Sequence, residues 1–298
     1  MFWGECEMKA EQANFFYNGA TQNLAVLGWP ISHSLSPAIQ NAALRQAGLN
    51  FVYISLPVAA ENLSAAVSGL RAMNFRGFNV TIPHKTAIMQ YLDEIDPAAQ
   101  IIGAVNTVVN DDGKLIGYNT DAYGFMNSLL KENFVLDGSE AVVMGAGGAA
   151  QAVVQSLSAA GANITVGARN GTKAATLADK FAPHYDIHSC AWQTEEFVSA
   201  LSKADLLVNT TPLGMKPHLD EMPPVDWAKL KATALVYDVI YTPSQTILLK
   251  EAKAHGFGTL NGEGMLVGQG AKAFQLWTGV QPDTELMTAV LRAELAKK

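Results

Sequence analysis

Between Ala141 and Ala150 a short apolar run, Ala-Val-Val-Met, breaks into Gly-Ala-Gly-Gly and restarts as an Ala- and Val-rich segment. Strand, tight turn and helix in succession satisfy that pattern. Gly145, Gly147 and Ala150 fall on the spacing G-x-G-x-x-G/A. In that spacing the first Gly makes the turn, the second lets the backbone approach a pyrophosphate, and the last small residue packs helix on strand. Unpaired N–H groups where the helix begins, over Gly145, Ala146, Gly147, Gly148 and Ala149, then form an anion site at the positive end of its dipole. Glycines between strand and helix also serve ordinary turns, so the flanking residues have to decide.

The next strand, Asn163–Ala168, ends where an NAD-binding chain places Asp or Glu on the ribose hydroxyls. Here the chain carries Arg169 and Asn170, with Lys173 one helical turn further on. An acid repels a ribose 2′-phosphate, whereas a guanidinium binds it through charge-assisted hydrogen bonds of about 1.5–3 kcal/mol each. The expected cofactor is NADP(H), against the plainer reading of Arg169 as a solvated surface arginine.

At 298 residues the chain exceeds one comfortable core, and 49% hydrophobic residues suffice to fill two. No stretch approaches ~18 consecutive apolar residues, so no membrane span or signal peptide is expected and a cytoplasmic location follows. Cys6 and Cys190 are too few for a disulfide framework or zinc cage, and no metal is expected. A formal charge of -7 without a basic run argues against nucleic acid as a partner.

Met1–Phe16 shows no clear period and reads as an extension. Strands are expected over Leu24–Leu27, Phe51–Pro57 and Gly77–Ile82, with helices over Ala38–Ala47, Ala60–Met73 and from Pro83 through Tyr91. Ser36 before Pro37 reads as a helix cap, yet Ser34 and Ser36 also put two hydroxyls beside helix N–H groups, a cradle for a small carboxylate. Lys85 falls in the first turn of an expected helix, where the dipole disfavours a cation and favours a neutral amine that exchanges protons. A tolerated surface lysine is the alternative. Asp111-Asp112-Gly113 marks a hairpin between Ala104–Val109 and Lys114–Tyr118. Asp121 either caps the helix that follows or faces a cleft between domains.

Further strands near Tyr185–His188, Ala204–Thr211 and Ala234–Ile240 alternate with helices Lys173–Phe181, Glu195–Ser202 and Gln245–Ala254. The fold class expected is therefore α/β in two domains, the second a doubly wound, Rossmann-type parallel sheet. Helices Met265–Trp277 and Thr284–Ala296 would return to the first domain, giving boundaries of 1–120 plus 262–298 and 121–261.

The assembled motifs resemble the shikimate dehydrogenase family from about Asn18 to the C-terminus. They are Ile31-Ser-His-Ser-Leu-Ser-Pro37, Asn79-Val-Thr-Ile-Pro-His-Lys85, Gly103-Ala-Val-Asn-Thr107, Asn119-Thr-Asp121, Gly145-Ala-Gly-Gly-Ala149, Asp238-Val-Ile-Tyr241 and Gly264-Met-Leu-Val-Gly-Gln269. The resemblance implies NADPH-dependent, reversible reduction of 3-dehydroshikimate to shikimate, in aromatic amino-acid biosynthesis through chorismate. It assigns the substrate carboxylate to Ser34, Ser36 and Tyr241, and the ring hydroxyls to Thr81, Asn106, Asp121 and Gln269. Lys85 would exchange the proton on the reacting oxygen, with Asp121 orienting it. The phosphates would lie on Gly145–Ala149, with Arg169, Asn170 and Lys173 at the adenosine phosphate and Val239 and Gly262 beside the nicotinamide. Where the family pattern reads Asn-Arg-Thr-x-x-Arg, this chain keeps Arg169 but has Lys173 in the last place, losing a bidentate fork and weakening the expected NADP preference. A homodimer is compatible with the resemblance. Two alternatives stand beside this reading: a quinate or shikimate dehydrogenase with relaxed substrate or NAD use, and a noncatalytic dinucleotide- or shikimate-sensing protein.

Overall fold

The computed structural model describes residues 17–297, so the extension expected over Met1–Phe16, with Cys6, lies outside the described residues. Two six-stranded sheets carry the architecture. The first takes β1 (Gln22–Gly28), β2 (Phe51–Pro57), β3 (Gly77–Val80), β4 (Glu94–Ile95), β5 (Thr107–Asp111) and β6 (Lys114–Tyr118) in the order β2-β1-β3-β5-β6-β4. Helices α1 (Ser36–Gln46), α2 (Leu63–Ala72) and α3 (Pro97–Ile102) connect its strands. β1, β2 and β3 are parallel, because each crossover passes through a helix or a long loop. β5 runs antiparallel to both β3 and β6. The β5–β6 turn is the hairpin read from Asp112-Gly113, both residues holding positive φ (48° and 92°) as a twist-matched two-residue turn requires.

After α4 (Thr120–Lys131) the second sheet begins with β7 (Glu140–Met144), α5 (Gly148–Ala159), β8 (Asn163–Ala168), α6 (Gly171–Phe181) and β9 (Ile187–Ala191). It continues through α7 (Glu195–Lys203), β10 (Leu206–Asn209), β11 (Leu235–Asp238), α8 (Ile247–Ala254) and β12 (Gly258–Leu260). All its pairings are parallel, in the order β12-β11-β10-β7-β8-β9. The chain winds outward from β7 to β9, returns, and winds the other way from β10. The crevice between β7 and β10 is the topological switch point at which such sheets bind ligands. β7 and β10 are buried throughout or nearly so, as strands covered on both faces must be.

Helices α9 (Glu263–Thr278) and α10 (Thr284–Leu295) then return to the first sheet. Phe274, Trp277, Met287 and Leu291 join Leu24, Val26, Leu44 and Tyr53 in one buried cluster. Trp277 Nε1 donates to the Val108 carbonyl at 2.9 Å, and Arg76 Nε donates to the Trp277 carbonyl at 3.0 Å.

Several local expectations need correction. No α-helix follows Pro83: residues 82–83 and 85–86 form turns and only a short 3₁₀ segment, Ala87–Tyr91, comes after them. β3 stops at Val80, because Pro83 offers no ladder N–H and restricts Ile82. β9, Ile187–Ala191, overlaps the run near Tyr185–His188 but starts two residues later and ends three residues later. The two-residue β4, the six-residue α3 and the three-residue β12 are too short for a periodic signal.

Candidate active site

A cavity of about 650 Å³ opens where the ends of the two sheets face each other. Ser34, Ser36, Thr81, Lys85, Asn106, Asp121, Tyr241 and Gln269, the full set named for substrate, line it. From the cofactor set Gly148, Ala149, Val239 and Gly262 line the same space, whereas Gly145, Ala146, Gly147, Arg169, Asn170 and Lys173 lie outside that lining.

Lys85 is held from both sides of its backbone. Buried His84 bonds through Nε2 to the Val58 carbonyl at 2.7 Å, and the Lys85 carbonyl accepts from Val105 N at 2.8 Å. The helix end that would have set its electrostatics is absent; what replaces it is an acid. Lys85 Nζ lies 2.6 Å from Asp121 Oδ2, with the lysine side chain 33% exposed and the aspartate 19%.

Asp121 is not the helix cap. Asn119 Oδ1 accepts from Asp121 N and Ala122 N at 3.1 and 3.4 Å, which takes over the capping of α4 and leaves the Asp121 carboxylate pointing into the cavity. Its second oxygen accepts from Asn106 Nδ2 at 2.9 Å. The orientation of Asn106 is fixed in turn, because its Oδ1 accepts from Thr120 N at 2.7 Å and a backbone N–H can only donate. Both Asp121 oxygens therefore accept charge-assisted hydrogen bonds, and Lys85 keeps donors facing the cavity.

Ser36 does not cap either. It is the first residue of α1, behind Leu35 at the cap position, and no side chain caps this helix. Ser34 Oγ instead accepts from Ser36 N at 3.3 Å. Tyr241 closes the cavity from the second sheet, its phenol pushed up by burial. Gln269 reaches the lining from α9 and donates to its own helix at the Leu266 carbonyl, 2.9 Å away.

The residues around β7 fit a dinucleotide. Gly145 has φ +117° and lies so close to Thr210 Oγ1 that a Cβ there would stand 2.6 Å from it. At Gly147 and Gly148 a Cβ would meet nothing within 4 Å, so the start of α5 is open. No side chain caps α5 and its first turn holds no acid, leaving its N–H groups and dipole for a phosphate. Asn170 Oδ1 accepts from Thr172 N at 2.9 Å, so Asn170 caps α6, while Arg169 beside it is exposed. Gly262 N donates to the Ile240 carbonyl at 3.0 Å, which holds the start of α9 against the Val239 loop.

Three family models match the chain. Residues 26–108 match the Shikimate dehydrogenase substrate binding domain, residues 128–217 the Shikimate / quinate 5-dehydrogenase model, and residues 262–292 the Shikimate 5'-dehydrogenase C-terminal domain. A curated relative from Desulforamulus reducens, Shikimate dehydrogenase (NADP(+)), is 44% identical over 284 residues, covering 94% of this chain and 98% of its own. The chain belongs to the shikimate dehydrogenase family. A crystal structure of a shikimate dehydrogenase in complex with NADP+ superposes with a TM-score of 0.86 at 42% identity, covering 94% of this chain and 98% of that one. The shikimate 5-dehydrogenase of Thermus thermophilus, in complex with NADP(H) and shikimate, gives 0.82 at 38% identity, covering 92% and 99%. The two-domain α/β fold, Rossmann-like sheet included, is thus that of shikimate dehydrogenases.

Asn79, His33 and Met265, which no local sequence signal marked as site residues, also line the cavity. Asn79 stands inside the motif that ends at Lys85, and an amide in a strand otherwise made of apolar residues was the available signal. No helix among the described residues is long and apolar enough to cross a membrane.

Proposed function

We propose that this chain catalyses the NADPH-dependent, reversible reduction of 3-dehydroshikimate to shikimate, with Lys85 and Asp121 as its catalytic pair. The observation that carries the reading is the Lys85–Asp121 contact of 2.6 Å in a cavity whose other wall is Gly148, Ala149, Val239 and Gly262. NADPH, when bound, supplies the hydride. As negative charge develops on the ketone oxygen, an ammonium donor already in place lowers the barrier and delivers the proton. In the reverse direction Lys85 accepts the proton from the shikimate hydroxyl. Asp121 keeps the amine aimed, and its own aim comes from Asn106 and Thr120.

Ser34, Ser36 and Tyr241 would receive the carboxylate, and Thr81, Asn106, Asp121 and Gln269 the ring hydroxyls. Arg169 and Lys173 would hold the ribose 2′-phosphate, and Gly145–Ala149 the pyrophosphate. Residues 1–120 with 262–298 would act as the substrate domain and 121–261 as the cofactor domain, a division supported by the return of α9 and α10 to the first sheet. The reading carries with it a cytoplasmic location and, as an assembly to be checked by sedimentation, a homodimer.

The test is the initial rate of NADP+ reduction by shikimate, run beside quinate and NAD+. Lys85→Ala should lower kcat by roughly 10²–10⁴-fold, the range for general acid–base catalysis. Near-normal turnover in a folded Lys85→Ala protein removes Lys85 from this role. Equal rates with quinate or NAD+ select the relaxed enzyme, and binding without turnover selects the sensor.

A further inference from the structure

Lys180 is an exposed residue in the last turn of α6, where a lysine is ordinary. Its ammonium, however, is spent on the first sheet's side of the molecule: Nζ donates to the Ile102 carbonyl at 2.5 Å and to Gln151 Oε1 at 2.6 Å. Ile102 is buried and ends α3. The last carbonyls of a helix find no donor within it, and Lys180 supplies one. Gly103, next along, leaves the room: its φ is +70°, and a Cβ there would stand 2.7 Å from Nζ. Gln151 lies in the first turns of α5, just past the open start that fits a phosphate, and it lines the cavity. An ammonium can only donate, which turns the Gln151 amide oxygen toward it. Ile102 also joins Ala104, Ala122 and Ala152 in a small buried cluster between α3 and α5. Desolvation with no acid to offset it holds the Lys180 amine below the ordinary lysine value. Among the described residues, no other hydrogen bond joins residues 97–106 to residues 140–260.

The tethered carbonyl is the root of the segment that assembles the catalytic pair. Beyond Gly103, three successive residues each hold a member of that pair or its support. The Ala104 carbonyl accepts from Asn119 Nδ2 at 3.0 Å, Val105 N donates to the Lys85 carbonyl at 2.8 Å, and Asn106 Nδ2 donates to Asp121 Oδ1 at 2.9 Å. Asn119 is the cap that frees the Asp121 carboxylate for the cavity. We propose that Lys180 is a positioning residue: it fastens the 103–106 segment, and through it Lys85 and Asp121, to the helix whose start receives the cofactor phosphates. The proposal rests on the roles given to Lys85 and Asp121 above. The proton reaches the substrate ketone from Lys85 on the first sheet's side, while the cofactor wall belongs to the second. The spacing of these two halves therefore bears directly on rate, and Lys180 acts through that spacing.

Lys180→Met in the full chain keeps the apolar stem and removes the donor. Amide hydrogen exchange of the free protein should quicken about 10-fold over residues 103–106, the scale of one hydrogen bond to a charged group reduced by partial exposure, and stay unchanged over β7, β8 and β10. The kcat for shikimate should fall about 10-fold, part of the ~10²-fold that a misplacement near 1 Å can cost. KM for shikimate and the calorimetric Kd for NADP+ should stay within about threefold. Unchanged exchange over 103–106 overturns the proposal, as do exchange that quickens equally throughout the protein, an unchanged kcat, or a loss confined to NADP+ affinity. Wild-type turnover of shikimate, measured alongside, tests the assigned reaction separately, and the exchange arm, read without ligand, decides the tether whatever that rate is. If Lys180→Met does not fold, Lys180→Gln, too short to span Ile102 and Gln151 together, enters the same measurements.

Discussion

Replacing Gly124 by alanine tests how tightly the substrate-binding geometry depends on one helix crossing. Gly124 lies on α4, three residues after Asp121, and packs against the backbone of α9. A Cβ there would overlap the Met265 carbonyl oxygen and stand 2.6 Å from Gln269 N, where ordinary contact begins at 3.4 Å. Opposite it, a Cβ on Gly268 would lie 2.9 Å from Gly124 Cα, so neither helix has slack. To bring the closer of these contacts out to 3.4 Å the helices must part by roughly 1 Å, at the turn that carries Gln269. Helix propensity favours alanine by about 0.8–1 kcal/mol, and overpacking costs about 1–3 kcal/mol; against rigid backbone the upper end applies, so a net loss of about 2 kcal/mol is expected. A misplacement near 1 Å costs up to ~10²-fold in rate when it moves a positioning group. Gly124→Ala should therefore lower kcat/KM for shikimate by about 10–100-fold, with a Tm reduced by a few degrees. The control is Gly69→Ala in α2, where a Cβ would meet only the Met73 methyl at 3.7 Å; there stability should hold or rise. A Gly124→Ala protein as stable and as active as the parent would refute the reasoning.

Asp121→Asn should reduce kcat/KM by about 10–50-fold, the lower part of the range for a charge-assisted hydrogen bond because Lys85 is a third exposed. Asn106 cannot turn to accommodate the new amide while Thr120 N holds its oxygen, so one donor faces another; steady-state kinetics within twofold of the parent would show that the carboxylate is dispensable. Asp238 is wholly buried, and burial pushes its carboxyl up to about 6 against hydrogen bonds from Thr246, Asn209 and Ile240 N. Its folded form binds the proton more tightly than the unfolded chain does, so its contribution to stability is present at low pH and is lost as pH rises from about 4 through about 6. Asp238→Asn reproduces the protonated shape, with Oδ1 still accepting from Asn209 and Ile240 N and the amide donating to Thr246 Oγ1. In thermal unfolding followed by circular dichroism, its Tm should exceed that of the parent by several degrees at pH 8, with the gap closing toward pH 4, for a ceiling of ~3 kcal/mol; a gap independent of pH would contradict this.

What could be read from the chain beforehand was what short-range chemistry dictates. The glycine turn after β7 and the Asp112-Gly113 hairpin each require backbone angles that few residues supply, and both stand where their residues put them. The alternation of strand and helix fixed the second sheet for the same reason. Lys85 and Asp121 are visible as candidates, but no helix dipole acts on Lys85. Its helix is absent, and its partner comes from 36 residues away. Likewise Asn119 and Asp121 are both competent caps, and only the tertiary position of Lys85 and Asn106 decides which carboxylate or amide is released to the cavity. Tyr53 gives no signal at all, since a tyrosine in a strand is ordinary and its hydroxyl meets Asn79 only across the sheet.

The return of α9 and α10 to the first sheet also orders events during synthesis. The residues of the second sheet form an unbroken stretch, whereas the cluster around Leu24, Val26 and Tyr53 lacks Phe274, Trp277, Met287 and Leu291 until after the second sheet has been made. The later-encoded half is thus the first able to close its core. Ser36 and Lys85, made early, wait on the ribosome for α9 and α10 before their side of the cavity becomes rigid, and nascent chains stalled short of α9 should remain protease-sensitive over β1 to β6 while the second sheet resists.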